Sequence, residues 1–301
     1  MPARALQGLH VNYITEGNGP PVILVHGVGG SLRHWDYLYP DLVSQKYEVY
    51  ALDLLGHGES AKPINHHPGY HIDAIYAHLA NWMSRLDLHT APILIGHAMG
   101  AYLVLTYVLR NPGKVRGIVL VNPYFSPSQL SLPLRLPILQ PQLSAKMLTL
   151  APKWALSSAV SLTQRGGDLI SKEVRERMVD DLKRSDPNVI TFAKTTQDLT
   201  PHLKRIRTRT IVIWGENDPL FHPTHYAHLV NSVPNSVGCP IPGSHNPHLT
   251  NIRLFNNQVL KFLDQLSGGL NPTSPDPLIS MNKPAPLLEP PNLPRADQAV
   301  T

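Results

Sequence analysis

The chain has 301 residues, 42% of them hydrophobic and 16% charged, enough to bury the core of one large α/β domain with an insertion. Its formal charge of +5 comes from scattered Lys and Arg with no aromatic-plus-basic motif, which argues against a nucleic acid partner. A single cysteine, Cys239, excludes an internal disulfide, and no apolar run reaches bilayer-spanning length.

The N-terminal stretch Met1 to Gln7 lacks an apolar h-region, so the expectation is a cytoplasmic protein without stable membrane insertion. Along the chain, apolar β-branched runs alternate with amphipathic segments, the pattern of a parallel sheet covered by helices. Leu9 to Thr15 alternates like an edge strand, and Pro21 to Val25 and Tyr47 to Leu52 read as buried strands. Tyr70 to Leu86 is a helix with Ile72, Ile75, Leu79 and Trp82 on one stripe. Pro92 to Ile95 is a short strand running into a helix from Met99 to Arg110, which Asn111-Pro112-Gly113 closes. Gly117 to Val121, Thr210 to Trp214 and Ser236 to Pro242 complete the strands. A last helix spans about Ile252 to Leu266.

Residues 123–201 interrupt this alternation. They hold no convincing strand, begin rich in proline and leucine, and are too long for a simple loop, so they are expected to form a helical cap. The core is then 1–122 with 202–266. From residue 267 to 301 apolar periodicity vanishes and proline, asparagine and serine dominate, which predicts a disordered tail.

The five residues Gly96-His97-Ala98-Met99-Gly100 stand where a buried strand turns sharply into a helix. Such a turn holds its central residue in strained geometry, and small residues two positions either side let strand and helix approach. Two glycines four apart mean little alone. Here they sit in register with His26-Gly27-Val28-Gly29-Gly30 after the first buried strand, with Trp35 just beyond. Asp53-Leu54-Leu55-Gly56-His57-Gly58-Glu59-Ser60, Trp214-Gly215-Glu216-Asn217-Asp218 and Ser244-His245-Asn246-Pro247-His248-Leu249-Thr250 follow in order.

In these motifs the chain resembles the α/β-hydrolase superfamily, in particular its capped esterases, C–C hydrolases and dehalogenase-like enzymes, over roughly Leu9 to Leu266. The resemblance implies an α/β-hydrolase fold with a mostly parallel sheet. It also implies an Asp218–His245 pair as orienting acid and general base, with Val28 and Met99 donating backbone N–H groups to an oxyanion. Position 98, where the family's serine attacks, holds alanine. Ser244 stands in place of a glycine and Thr250 in place of a glutamate. No cofactor and no metal are implied.

Within Asp53 to Ser60 the residues, His57 included, read as structural turn and packing groups. His222, His225 and His228 recur every three residues, but each step of three advances about 300° around a helix, so a solvated face is the better reading than a metal site. His66, His67 and His71 lie in a Pro/Gly-rich loop and are read likewise. No G-x-G-x-x-G motif completes after the first strand, and no P-loop lysine exists.

Three functions compete. Ala98 is an engineered replacement of serine in an otherwise active hydrolase, or the protein is a natural relative that binds a ligand without turning it over, or the His245–Asp218 pair works alone as a general base. Trp35, Tyr124 and Trp154 are the expected substrate contacts. With Phe125, Leu136 and Met147 they point to a small, mostly apolar ester, thioester or cyclic carbonyl partner. Oligomeric state is not readable.

Overall fold

The computed structural model describes residues 8–63, 70–130, 140–162, 164 and 170–268. His66, His67, Leu136 and the expected tail from 269 onward lie outside the described residues. Among the described residues seven strands form one sheet: β1 (Tyr13–Glu16), β2 (Pro21–Val25), β3 (Glu48–Leu52), β4 (Ile93–His97), β5 (Gly117–Val121), β6 (Arg209–Gly215) and β7 (Ser236–Ile241). Their order is β1-β3-β2-β4-β5-β6-β7, with β1 antiparallel to β3 and every other pair parallel.

β2, β4 and β5 are buried along their whole length, as their unbroken Ile/Val/Leu runs require of a sheet covered on both faces. Successive side chains point to opposite faces. Ile23, Val25, Leu94, Ile118, Leu120 and Val212 therefore feed one core, and Val22, Leu24, Ile93, Ile95, Val119, Val121, Ile211 and Ile213 feed the other.

Helices pack on both layers. They are α1 (Tyr39–Ser44), α2 (Ile72–Met83), α3 (Met99–Arg110), α4 (Pro141–Leu150), α5 (Lys153–Leu162), α6 (Lys172–Arg184), α7 (Pro223–Ser232), α8 (Pro247–Thr250) and α9 (Ile252–Gly268). The sequence stripe Ile72, Ile75, Leu79, Trp82 is buried on α2, and Phe255, Val259, Phe262, Leu263 and Leu266 are buried on α9. The helix expected over Met99 to Arg110 has those bounds.

Several boundaries differ from expectation; the helix expected over Tyr70 to Leu86 spans Ile72–Met83, and the strand expected over Pro92 to Ile95 spans Ile93–His97. The edge strand begins at Tyr13 rather than Leu9, because His10 and Asn12 spend their carbonyls on the Ala61 and Asp53 N–H groups of the loop after β3. The last helix runs two residues past Leu266, so Ser267 and Gly268 belong to it and not to the tail.

Between β5 and β6 the described residues contain no strand. They carry α4, α5 and α6 with short 3₁₀ turns, and a small separate core of Leu156, Val160 and Val179. α6 seats on the molecule through Asp181, whose carboxylate accepts from Ser31 Oγ at 2.9 Å and pairs with Arg33, and through Arg177, which binds Asp36 at 2.9 Å.

The strand order reverses direction between β2 and β4, and a crevice at the carboxyl ends of the strands opens at such a switch. Every motif residue follows a strand there. Val28 follows β2, Asp53 β3, Ala98 β4, Asn122 β5, Asp218 β6 and His245 β7. Among the described residues no helix is long and apolar enough to cross a membrane.

On α2, His78 is 2% exposed, and burial lowers its pKa from 6.5 to about 4. With the folded value below the unfolded one, neutral His78 leaves stability intact above about pH 6.5, and that stability is lost as pH falls to and through about 4. The limit is roughly 3 kcal/mol. Urea unfolding should show wild type losing about 1–3 kcal/mol more between pH 7 and pH 4 than His78→Leu; equal losses would contradict the assignment.

Candidate functional site

The bend after β4 is the geometric centre. Ala98 sits at φ 47°, ψ −111°, a positive φ for a residue with a Cβ, between the last strand residue His97 and the first helical residue Met99. Its N–H donates to the Val121 carbonyl at 3.0 Å, and its own carbonyl accepts from Tyr124 N at 3.2 Å, so both flanks are pinned. Such a conformation costs about 1–3 kcal/mol and persists only when its surroundings fix it.

Both glycines of the motif are steric necessities. A Cβ on Gly96 would lie 2.7 Å from the Gly100 carbonyl carbon and oxygen. One on Gly100 would run into the Val25 carbonyl and come within 2.6 Å of that of His26. A Cβ on Gly27 would sit 3.2 Å from the Ala98 Cβ, which places residue 98 against the glycine loop.

That loop is held by His26. The Nδ1 of His26 donates to the Gly27 carbonyl at 2.7 Å, while Nε2 accepts from Leu54 N at 3.0 Å, a division that requires the neutral ring. Burial lowers its pKa, against the opposing pull of Asp53. Among the described residues neither the Val28 nor the Met99 backbone N–H finds a partner. The Met99 N–H heads α3, where the helix dipole favours negative charge.

Across the crevice His245 Nδ1 lies 2.9 Å from Asp218 Oδ2, and both residues are 7% exposed. The carboxylate has four further donors. Asn122 Nδ2 reaches Oδ2 at 2.7 Å, Tyr226 OH bonds the same oxygen, and Leu220 N and Phe221 N reach Oδ1 at 2.8 and 3.3 Å. Burial alone pushes the Asp218 carboxyl up. The charge and hydrogen bond of His245, then Tyr226 and Asn122, outweigh it and hold the group below the ordinary carboxylate range. An ionised Asp218 holds the imidazole with Nδ1 protonated and leaves Nε2 as the basic nitrogen.

Asn122 and Tyr226 escaped the sequence reading. Asn122 takes φ 41° at the end of β5, and its amide also reaches the Ser244 carbonyl at 3.3 Å, so it joins the acid loop to the histidine loop. The available signal was an asparagine, one of the residues that tolerate positive φ, directly after a buried strand. His97 also went unread. Its ring packs 5.0 Å from that of His245, and Nε2 donates to the His245 carbonyl at 3.1 Å, which ties the bend directly to the histidine loop.

The other expected residues divide. Tyr124 is buried, shares a 2.8 Å hydrogen bond with Thr196 and packs on Phe221, whose ring edges onto His245 at 5.2 Å. Trp35 is buried against His248 at 5.2 Å. Trp154 is 74% exposed on α5. Ser244, in the place of a glycine, donates to Gln164 of the β5–β6 insertion at 2.6 Å. His57 Nδ1 bonds the Leu55 carbonyl at 3.0 Å, and Asp53 accepts from Leu32 N, Asn12 Nδ2 and Glu59 N, so that segment is a turn scaffold. His222 caps α7 through Thr224 and is exposed with His228, as a solvated helix face requires. Two surface clefts, one lined by Ile72, Tyr102 and Gln197 and one by Leu9, His78 and Trp82, include neither Asp218 nor His245.

A family model described as alpha/beta hydrolase fold matches residues 20–252. The chain is 32% identical over 121 residues to bifunctional epoxide hydrolase 2 of Sus scrofa, a match covering 40% of this chain and 21% of that protein. It is 34% identical over 113 residues to the human 1-acylglycerol-3-phosphate O-acyltransferase ABHD5, covering 37% of this chain and 32% of that one. These matches span between a fifth and a third of those relatives' length. Among solved structures, a thermophilic esterase from Thermogutta terrifontis superposes with a TM-score of 0.74 at 20% identity, covering 86% of this chain and 94% of that one.

Because a methyl group at Gly100 would collide with backbone and not with a yielding side chain, Gly100→Ala should cost more than about 3 kcal/mol. Ala98→Ser adds one hydroxyl at the bend and should stay within about 1 kcal/mol. Thermal and urea unfolding of the two variants check both; a near-neutral Gly100→Ala would contradict the close approach.

Proposed function

Since the chain belongs to the alpha/beta hydrolase fold family, we propose that its crevice is built for acyl transfer on a small, mostly apolar ester or carbonyl compound, and that Ala98 deprives it of the attacking atom. The observation that carries this reading is the strained backbone of Ala98, φ 47° and ψ −111°, beside an intact Asp218–His245 pair. A backbone under strain is kept where the position of its side chain matters.

With serine at 98 the steps are those of a serine hydrolase. His245 Nε2 accepts the hydroxyl proton as the oxygen attacks the carbonyl carbon. Asp218 stabilises the imidazolium, and the Val28 and Met99 N–H groups receive the developing oxyanion. Without the hydroxyl the binding and electrostatic parts remain and the covalent step does not. In a serine protease of unrelated fold, loss of the serine costs about 10⁶-fold in turnover.

Residues 123–201 would act as the cap over this crevice, supported by the Ser31–Asp181 and Ser244–Gln164 contacts that join them to the glycine loop and the histidine loop. The buried aromatics Tyr124 and Phe221 beside His245 support an apolar substrate.

A second reading draws on the same pair, since an Asp218 held ionised by four donors besides His245 keeps Nε2 of the imidazole available as a general base acting directly on water or on a bound acidic substrate.

A panel of short-chain and aryl esters separates the readings. The chain as it stands should show negligible hydrolysis. Ala98→Ser should raise turnover at least about 10³-fold, a gain abolished by adding His245→Ala. Turnover by the parent chain that depends on His245 and ignores position 98 would establish the general-base reading. Ligand retention with no gain from serine would leave a binding protein.

A further inference from the structure

Behind the bend, three histidines from three segments converge. His34 comes from the 3₁₀ turn Leu32–Trp35, His97 from the end of β4 and His248 from α8. They are 7%, 3% and 2% exposed, and one ring nitrogen from each lies within 4.8 Å of the others. Five of their six ring nitrogens have no hydrogen-bond partner. Buried polar atoms are nearly always satisfied, so five orphans in one cluster demand an explanation.

We propose that this cluster is a three-histidine binding site for a divalent cation of the zinc class, and that the bound ion fastens the turn after the glycine loop, the bend after β4 and the helix α8 together. The sixth nitrogen supplies an independent argument. His97 Nε2 faces the His245 carbonyl at 3.1 Å, and a carbonyl only accepts, so Nε2 carries the proton and Nδ1 presents a lone pair. A backbone carbonyl that fixes the tautomer of a histidine in this way is the usual outer partner of a metal ligand.

The spacing fits. An imidazole ligated at about 2.0 Å puts its ring centre about 3.2 Å from the metal, so two ligands at a tetrahedral angle have centres about 5 Å apart. The three pairs here are 4.6, 5.9 and 6.2 Å apart, so ligation of one ion requires His34 to close on the other two rings by about 1 Å.

The donor chemistry narrows the ion. Three neutral nitrogens with no thiolate or carboxylate in the set suit zinc, and copper or nickel next, while magnesium and calcium require oxygen. The sequence reading expected no metal. It weighed two local groups, His222, His225 and His228 and then His66, His67 and His71, and not three histidines 63 to 214 positions apart. The site stands independently of what occupies position 98.

The test uses full-length protein stripped with EDTA, then loaded with Zn²⁺ and gel-filtered. One zinc per chain should be retained, with a raised melting temperature. His34→Leu and His248→Phe should each weaken retention at least about tenfold, while the surface double variant His222→Ala/His225→Ala should retain zinc like the parent. Co²⁺ substitution of the parent chain reads the site without any mutation: intense tetrahedral d–d absorption is expected. Substoichiometric zinc, loss of zinc in the surface variant alone, or a weak octahedral Co²⁺ spectrum would each overturn the proposal.

Discussion

The structure depends on one close approach, that of the start of α3 to the backbone of β2. Gly100 lies against the Val25 and His26 carbonyls with no room for a methyl group. The helix can come that near only if the chain leaves β4 through a sharp turn, and that forces residue 98 to a positive φ. Because β2 and β4 are neighbours at the reversal of strand order, the same approach brings residue 98 against Gly27 and sets the head of the helix at the mouth of the crevice. Position, direction and local field at the site all descend from it.

The second organising element is the burial of a carboxylate. Asp218 is nearly out of solvent and would be neutral if left unpaired there. Five donors, from three loops and the helix α7, surround it, and the His245, Tyr226 and Asn122 contacts hold it ionised. One of them, Asn122, reaches its position only by adopting a left-handed backbone. The cost of that conformation is met by the charge it stabilises, and the charge in turn holds the His245 ring. His97 links this assembly to the bend through the His245 carbonyl. The bend and the acid–histidine pair therefore form one connected body of buried polar contacts.

Much of this could be read from sequence because the decisive motifs are contiguous. Gly96 to Gly100, His26 to Gly30 and Trp214 to Asp218 each encode a local turn whose steric demands are met within a few residues. Buried strands such as β2 and β5 announce themselves as unbroken apolar runs. What stayed illegible is long-range pairing. Asn122 meets Asp218 across 96 residues, Gln164 meets Ser244 across 80 and Asp181 meets Ser31 across 150, and no local pattern specifies such partners. The helices of the insertion posed another difficulty. An apolar residue on a short amphipathic helix faces a pocket, a core or solvent with the same periodicity, so the sequence of Lys153–Leu162 does not tell that Trp154 is 74% exposed.

On the proposed reading, the strained turn, the Asp218–His245 pair and the Val28 and Met99 N–H groups make up a serine-hydrolase site that lacks a single oxygen. The most direct measurement is a crystal structure of the Ala98→Ser protein after treatment with an alkyl phosphonate ester. The account predicts a bond from the serine oxygen to phosphorus, the phosphoryl oxygen received by the Val28 and Met99 N–H groups, and Nε2 of His245 within hydrogen-bonding reach of the serine oxygen. An unmodified serine pointing away from His245, or a phosphoryl oxygen turned from those two donors, would contradict it.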